Sequence, residues 1–181
     1  MALAALMGVS FLSACDSPGS EQSGQGSTSA VKHSIVDAET AAGFKRDRDH
    51  EMLKNVSVDP GKVRKDSTVV VNAYIGEEPE DPILFIGEAD IPSSTEDRKE
   101  YLYDQLVPLL SERAEETRPE PQEIEPGPLG GSAECMTVDP KRGNNICGWV
   151  DSNTTGVAVM PDMTLDEAGR LFISMRSDIE R

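Results

Sequence analysis

The sequence predicts an α+β domain: a mostly antiparallel sheet of about five strands and two main helices, with one disulfide and a disordered N-terminal tether. Three observations carry this expectation. Thr68-Val69-Val70-Val71-Asn72-Ala73-Tyr74-Ile75 is a β-branched run bounded by Gly76, the pattern of a strand. Ser132 to Val138 and Asn145 to Val150 flank the turn residues Asp139-Pro140-Lys141-Arg142-Gly143-Asn144 and read as a hairpin. Ala168, Leu171, Phe172, Met175 and Ile179 fall on one helical face, opposite Glu167, Arg170, Ser174 and Arg181. Strands therefore come in runs, which favours α+β over a parallel α/β arrangement.

Residues 1–14 carry no charge and are mostly Ala, Leu, Met, Val and Phe. The run is too short to span a bilayer, which takes about 20 apolar residues, and it suits the apolar region of a secretory signal. Leu12-Ser13-Ala14-Cys15 resembles the bacterial lipobox. That resemblance implies cleavage before Cys15 and a diacylglyceryl group on its sulfur; two acyl chains anchor stably where one does not. A signal opens with Lys or Arg, and Met1-Ala2-Leu3 has neither, so translation is expected to start upstream. Residues 16–30 lack any large apolar side chain and cannot offset their ordering entropy by burial, so a flexible tether of roughly 20 Å is expected there.

The net charge of −16 belongs wholly to the part after residue 14. Nucleic acid is excluded as a partner class, because affinity there comes from basic groups that neutralise phosphates. A broad contact with anionic lipid is disfavoured for the same reason. With Cys15 assigned to lipid, Cys135 and Cys147 remain as an even pair, and outside the membrane such a pair reads as a disulfide. Aromatics make up only 4% of the chain, so the core is expected to be aliphatic and modest.

In chain order, residues 31–181 form one domain, with 31–66 weakly structured and 67–181 as the core. Ala38 to Leu53 has helix formers but no apolar stripe, and one or two short helices are expected before Pro60-Gly61. Lys45-Arg46-Asp47-Arg48-Asp49 reads as a solvated charged face. Glu77-Glu78-Pro79-Glu80-Asp81-Pro82 lacks the ligand spacing and turn Gly of a calcium loop and reads as an acidic connector. Ile83 to Ile86 is a second strand. Ser93 and Glu96 form a capping-box pattern, followed by Leu102, Leu106, Leu109, Leu110 and Ala114 at helical spacing. Pro108 means that this helix is either kinked or restarted. Arg118 to Pro128, with four prolines, reads as an extended connector.

A hairpin centred on Lys141 sets Val138 against Asn144, Met136 against Ile146, and Cys135 against Cys147, close enough to bridge. The loop so closed is short and contributes about 3 kcal/mol in the entropic account. Thr155 to Met160 supplies the third strand of this meander. Alternation puts Cys147, Trp149 and Asp151 on one face and Ile146, Gly148 and Val150 on the other, so both faces carry apolar groups. Which of the two is the main core is left open. Thr164 and Glu167 form a second capping box before the terminal helix.

Gly127-Pro128-Leu129-Gly130-Gly131, Cys135, Cys147-Gly148-Trp149-Val150-Asp151, Gly156-Val157 and the closing helix together resemble a broad group of uncharacterised actinobacterial secreted and lipid-anchored proteins. The likeness covers about residues 60–181, with Val150 where Ala is often found. It implies a compartment and a fold, and no functional residue comes with it.

Trp149 and Asp151 are the binding candidates. A Trp beside a disulfide more often packs a core, and an Asp at a strand end commonly accepts turn amides. Tyr101 and Tyr103 flank the first helical stripe. His33 and His50 fall in the least structured third, where nothing promises the rigid hold that a nucleophile system needs. No His/Cys cluster has zinc spacing, and Asn55-Val56-Ser57 and Asn153-Thr154-Thr155 are chance sequons. No catalytic residue, metal or cofactor is assigned. The expected protein is a lipoprotein at the extracytoplasmic face of the cell membrane, acting as a non-catalytic binding or interaction module for an envelope protein or ligand. A carboxylate-based hydrolase with Asp or Glu pairs from distant positions, and a sensor or accessory domain of a membrane partner, are the alternatives.

Overall fold

The computed structural model describes residues 31–58, 67–76, 81–91, 95–110 and 119–181. The expected signal segment, Cys15 and the tether lie outside these residues, as do 77–80 of the acidic connector, Ser93 and Ala114. Eight strands form one sheet in the order β1-β2-β3-β4-β8-β7-β6-β5, and every neighbouring pair is antiparallel. They are β1 (Thr40–Ala41), β2 (Phe44–Asp47), β3 (Thr68–Ile75), β4 (Ile83–Ala89), β5 (Gln122–Ile124), β6 (Ser132–Asp139), β7 (Asn144–Val150) and β8 (Thr154–Met160). Among the described residues there are two α-helices, α1 (Thr95–Leu110) and α2 (Leu165–Ile179).

The class is the expected one, but the sheet has eight strands rather than about five. Three short edge strands account for the difference. β1 and β2 lie where short helices were expected, joined by the two-residue turn Ala42-Gly43, whose φ values of 49° and 88° suit a tight hairpin. The charged run Lys45-Arg46-Asp47 is half a strand because β3 supplies its backbone partners. Among the described residues of that region only Glu51–Asn55 is helical, as a 3₁₀ turn. β5 pairs with β6 inside what was read as a connector. α1 runs on through Pro108 to Leu110 without restarting.

Both faces of the sheet are covered. Trp149, Cys135, Cys147, Phe85 and Ala158 face α2 through Ala168, Phe172, Met175 and Ile179. Leu84, Ile86, Ile146, Val157 and Val159 face α1 through Leu102, Tyr103 and Leu106. β7 and β8 are buried along their whole length. The terminal helix matches expectation down to its cap, where the Thr164 hydroxyl accepts from the Glu167 amide and the Glu167 carboxylate accepts from the Thr164 amide.

Cys135 and Cys147 form the disulfide, with Cα atoms 4.1 Å apart, and Met136 sits opposite Ile146. Val138 does not oppose Asn144. A bulge between Thr137 and Asp139 puts Asp139 there, since the pairing has to step by one residue to reach the turn.

The first described residues form a strap against the other end of the chain. The amide of Ser34 donates to the Arg181 carbonyl at 2.7 Å, that of Arg181 to Ser34 at 3.0 Å, and that of Val36 to Ile179 at 2.9 Å. Ile35 is buried in the α2-side core. The segment expected to be weakly structured is thus held by pairing with residues more than a hundred positions away, which no local pattern shows.

Candidate functional site

The turn between β7 and β8 organises the site. Asp151 follows the last residue of β7, and its Oδ1 accepts from the amides of Asn153 at 2.9 Å and Thr154 at 2.7 Å, the self-bonded turn expected of such an Asp. Asn153 then captures the strap as a strand would. Its Oδ1 accepts from the His33 amide at 2.9 Å, and its Nδ2 donates to the His33 carbonyl at 2.6 Å.

With its backbone fixed this way, His33 presents Nδ1 to Asp151 Oδ2, and Glu180 Oε1 lies 3.4 Å from the same nitrogen. Every described bond of the His33 ring is to a carboxylate. Burial alone would raise the Asp151 carboxyl, but hydrogen bonds with Glu180, His33 and the two turn amides hold it down to about 2. Ionised Asp151 can only accept, so Nδ1 carries the proton and Nε2 is left for other contacts. The His33 side chain is 12% exposed and that of Asp151 5%.

Behind this pair stands a buried charge cluster. Glu180, the C-cap of α2, accepts from the Thr154 hydroxyl and from Arg176 Nε. Burial pushes the Glu180 carboxyl up, and its contact with Asp151 adds to that rise. Arg176 Nη1 donates to the carbonyls of Pro126 at 3.0 Å and Gly130 at 2.8 Å, while Nη2 lies 3.9 Å from Asp151 Oδ2. The guanidinium also sits 5.3 Å from the Trp149 ring centroid. Trp149 is fully buried, stacked on Phe85 at 5.7 Å and tilted against Phe172 at 5.3 Å. Its Nε1 donates to the Thr154 hydroxyl at 3.4 Å.

His33, Asp151 and Glu180 bring three ligand-type atoms within 4.8 Å of one another. Their oxygens, however, are taken by the Thr154 hydroxyl, Arg176, two amides and each other, and Arg176 already offsets one of the carboxylates. That is the chemistry of a hydrogen-bonded junction, in which the buried Nη2 of Arg176 makes no hydrogen bond. Glu96, Glu100 and Glu134 make a second acidic group around Lys99, whose Nζ lies 2.6 Å from Glu96 and 2.8 Å from Glu134.

An open cleft of about 500 Å³ runs from this junction to the start of α1, lined by His33, Asp151, Ser152, Thr95, Glu96 and Ser132 among others. The Thr95 hydroxyl donates to the Asp151 carbonyl at 2.9 Å and ties helix to turn. Of the two binding candidates, Asp151 lines this cleft, whereas Trp149 lies beneath it in the core. Cys135 and Cys147 are buried as a cross-strand staple, and Cys15 falls outside the described residues.

Sequence reasoning missed His33, Arg176 and Glu180. Arg176 and Glu180 left a trace, an opposite-charge pair four residues apart beside Phe172, Met175 and Ile179 on the buried face of α2. His33 left none, because its partners lie 118 and 120 residues away.

No known family model, curated protein or solved structure matches the chain. Among the described residues, no helix is long and apolar enough to cross a membrane.

Proposed function

We propose that the protein is a lipid-anchored lipoprotein at the extracytoplasmic face of the cell membrane, and that its domain is a non-catalytic binding module with the cleft beside His33 as its ligand site. The lipobox-like Leu12-Ser13-Ala14-Cys15, the uncharged run before it and the likeness to actinobacterial lipid-anchored proteins support the address. The observation that carries the binding role is the cleft itself: its His33 and Asp151 groups are bonded to each other and to the framework, which fixes a rigid polar surface. Rigid, preformed clefts with a few placed polar groups are what ligand sites require.

Mass spectrometry of the membrane-extracted protein tests the address. The expected N-terminus is a diacylated Cys15, and the Cys15→Ala protein should leave the membrane fraction. A free Cys15 thiol on an uncleaved chain would overturn it. Titration of the His33 ring resonance with candidate glycans, peptides and small metabolites tests the cleft.

A second reading, the carboxylate-based hydrolase, draws on one observation. Asp151 and Glu180 are adjacent carboxyls whose environments drive their protonation apart, the pattern of an acid and base pair. Glu180 is fully buried and does not line the cleft, so the binding role is favoured. Turnover of a glycoside or ester that vanishes in Asp151→Asn, with the fold retained, would reverse that preference.

A further inference from the structure

The framework around the cleft takes up the side-chain protons of its lining and leaves lone pairs. His33 gives its Nδ1 proton to Asp151, and Nε2 of the same ring, which lines the cleft, makes no hydrogen bond among the described residues. The Thr95 hydroxyl donates to the Asp151 carbonyl at 2.9 Å, and the Ser152 hydroxyl to the Val31 carbonyl at 3.2 Å. Each of these three groups has its proton committed inside the protein and can only accept from a ligand. They belong to the strap, the start of α1 and the β7–β8 turn, so a ligand that bonds all three bridges separate elements. Ser132, exposed at the start of β6, adds a hydroxyl with no partner among the described residues.

Charge narrows the class of ligand further. The described lining holds neither lysine nor arginine to receive an anion. Its two carboxylates are both engaged: Glu96 lies 2.6 Å from Lys99 Nζ, and Asp151 is held by His33 and two turn amides. Neither is left over to offset the cost of drawing a ligand cation out of water. The ligand that fits is uncharged and rich in donors. A peptide backbone brings one N–H per residue, whereas a single sugar ring carries several adjacent hydroxyls, and its C–H face can rest on Leu129 and Val150.

We propose that the cleft binds an uncharged saccharide whose hydroxyls donate to His33 Nε2, Thr95 Oγ1 and Ser152 Oγ. The proposal rests on the reading of the cleft as a ligand site and adds the class of ligand. A polysaccharide strand and a neutral glycolipid headgroup share this chemistry.

The test uses the full-length lipidated protein in a polyoxyethylene detergent, whose headgroup carries no sugar. Cellotetraose or chitotetraose should move the Nε2 nitrogen resonance of His33 upfield, as an acceptor nitrogen moves when it takes a hydrogen bond. Tetralysine, tetragalacturonate and tetraglycine should not. Binding should hold as NaCl rises from about 50 to 500 mM, since no charges pair across the contact. His33→Asn keeps an N–H toward Asp151 but removes Nε2, and should weaken binding about two- to tenfold, the range of one hydrogen bond. Ser152→Ala, which leaves the buried junction intact, should do the same. Ser174→Ala, on the exposed face of α2, should change nothing. Equal effects of all three variants, or binding that collapses with salt, overturn the proposal. If tetralysine, tetragalacturonate or tetraglycine binds as tightly as the saccharides, or in their place, the saccharide proposal falls and the cleft stands as a ligand site. If no probe moves the His33 resonance, both fall. Retention of the Cys15→Ala protein on phosphatidylcholine vesicles only when they carry digalactosyldiacylglycerol assigns the saccharide to a lipid headgroup. Retention on neither kind of vesicle, with tetrasaccharide binding intact, assigns it to a polysaccharide strand.

Discussion

Gly156 shows how one residue can fix a core without any trace in the sequence. It sits on β8 opposite Trp149, and a Cβ built there would lie 2.2 Å from the indole ring. Gly156→Ala should therefore destabilise the domain by about 1–3 kcal/mol, the usual cost of overpacking, read as a lower urea midpoint. An unchanged midpoint would mean that the ring is not held there. Arg176 makes the complementary case. Removing it leaves the Glu180 carboxylate buried without its main cation, and such a loss costs about 3–5 kcal/mol. Arg176→Met should thus be strongly destabilising, and adding Glu180→Gln should recover part of the loss. If the double variant is no more stable than the single one, the pair is not the coupled unit described. Cys135 and Cys147 were legible because hairpin register is a local count. His33 was not, because its role exists only once Asn153 and Asp151 have come to it from the far end of the chain.

At the scale of elements, legibility followed the strength of local pattern. α2 could be read to its cap because its apolar spacing, Thr164 and Glu167 agree. The β1–β2 hairpin was missed because Ala42-Gly43 stands where Asn-Gly would signal the turn. Ala42 holds φ at 49°, a conformation that costs an L-residue roughly 1–2 kcal/mol. Ala42→Asn, which tolerates that region better, should raise stability by about 0.5–1 kcal/mol and the melting temperature by a few degrees. A lower melting temperature would show that the methyl packing at Ala42 outweighs the relief. β5 escaped notice because Pro119, Pro121, Pro126 and Pro128 surround its three residues. Those prolines and the neighbouring Glu residues also blunt the sheet edge against further strand pairing. The strap belongs at this scale too. Ile35→Ala should cost about 2–4 kcal/mol despite its place in a segment with little regular structure, since Ile35 lies in the main α2-side core.

Across the whole molecule, two four-stranded meanders, each followed by a helix, meet along the β4–β8 seam, and their helices cover opposite faces. The ends of this arrangement converge at the junction of the strap, the β7–β8 turn and the C-cap of α2, so the protonation of that junction reports on global stability. Asp151 is held at about 2 against an ordinary 3.8. Its contribution is fully present above the ordinary carboxylate range and is lost as pH falls through about 2, a term of about 2 kcal/mol. Glu180 runs the other way. Its carboxyl is raised in the folded state, so the stability it contributes is present in acid and is lost as pH rises through its folded value. Lowering the pH from neutral should first stabilise the domain through Glu180 and then destabilise it through Asp151, which places an optimum on the acidic side. Urea midpoints at pH 2.5, 4.5 and 7, at a fixed ionic strength so that charge screening is the same at each pH, resolve the two limbs. Asp151→Asn should flatten the limb between pH 4.5 and 2.5, and Glu180→Gln should flatten the limb between 4.5 and 7. An Asp151→Asn protein that keeps the full acid slope would place the acid sensitivity elsewhere, with Asp37 as the next carboxyl held low by Asn72, Arg46 and Arg48 against the upward pull of its own burial.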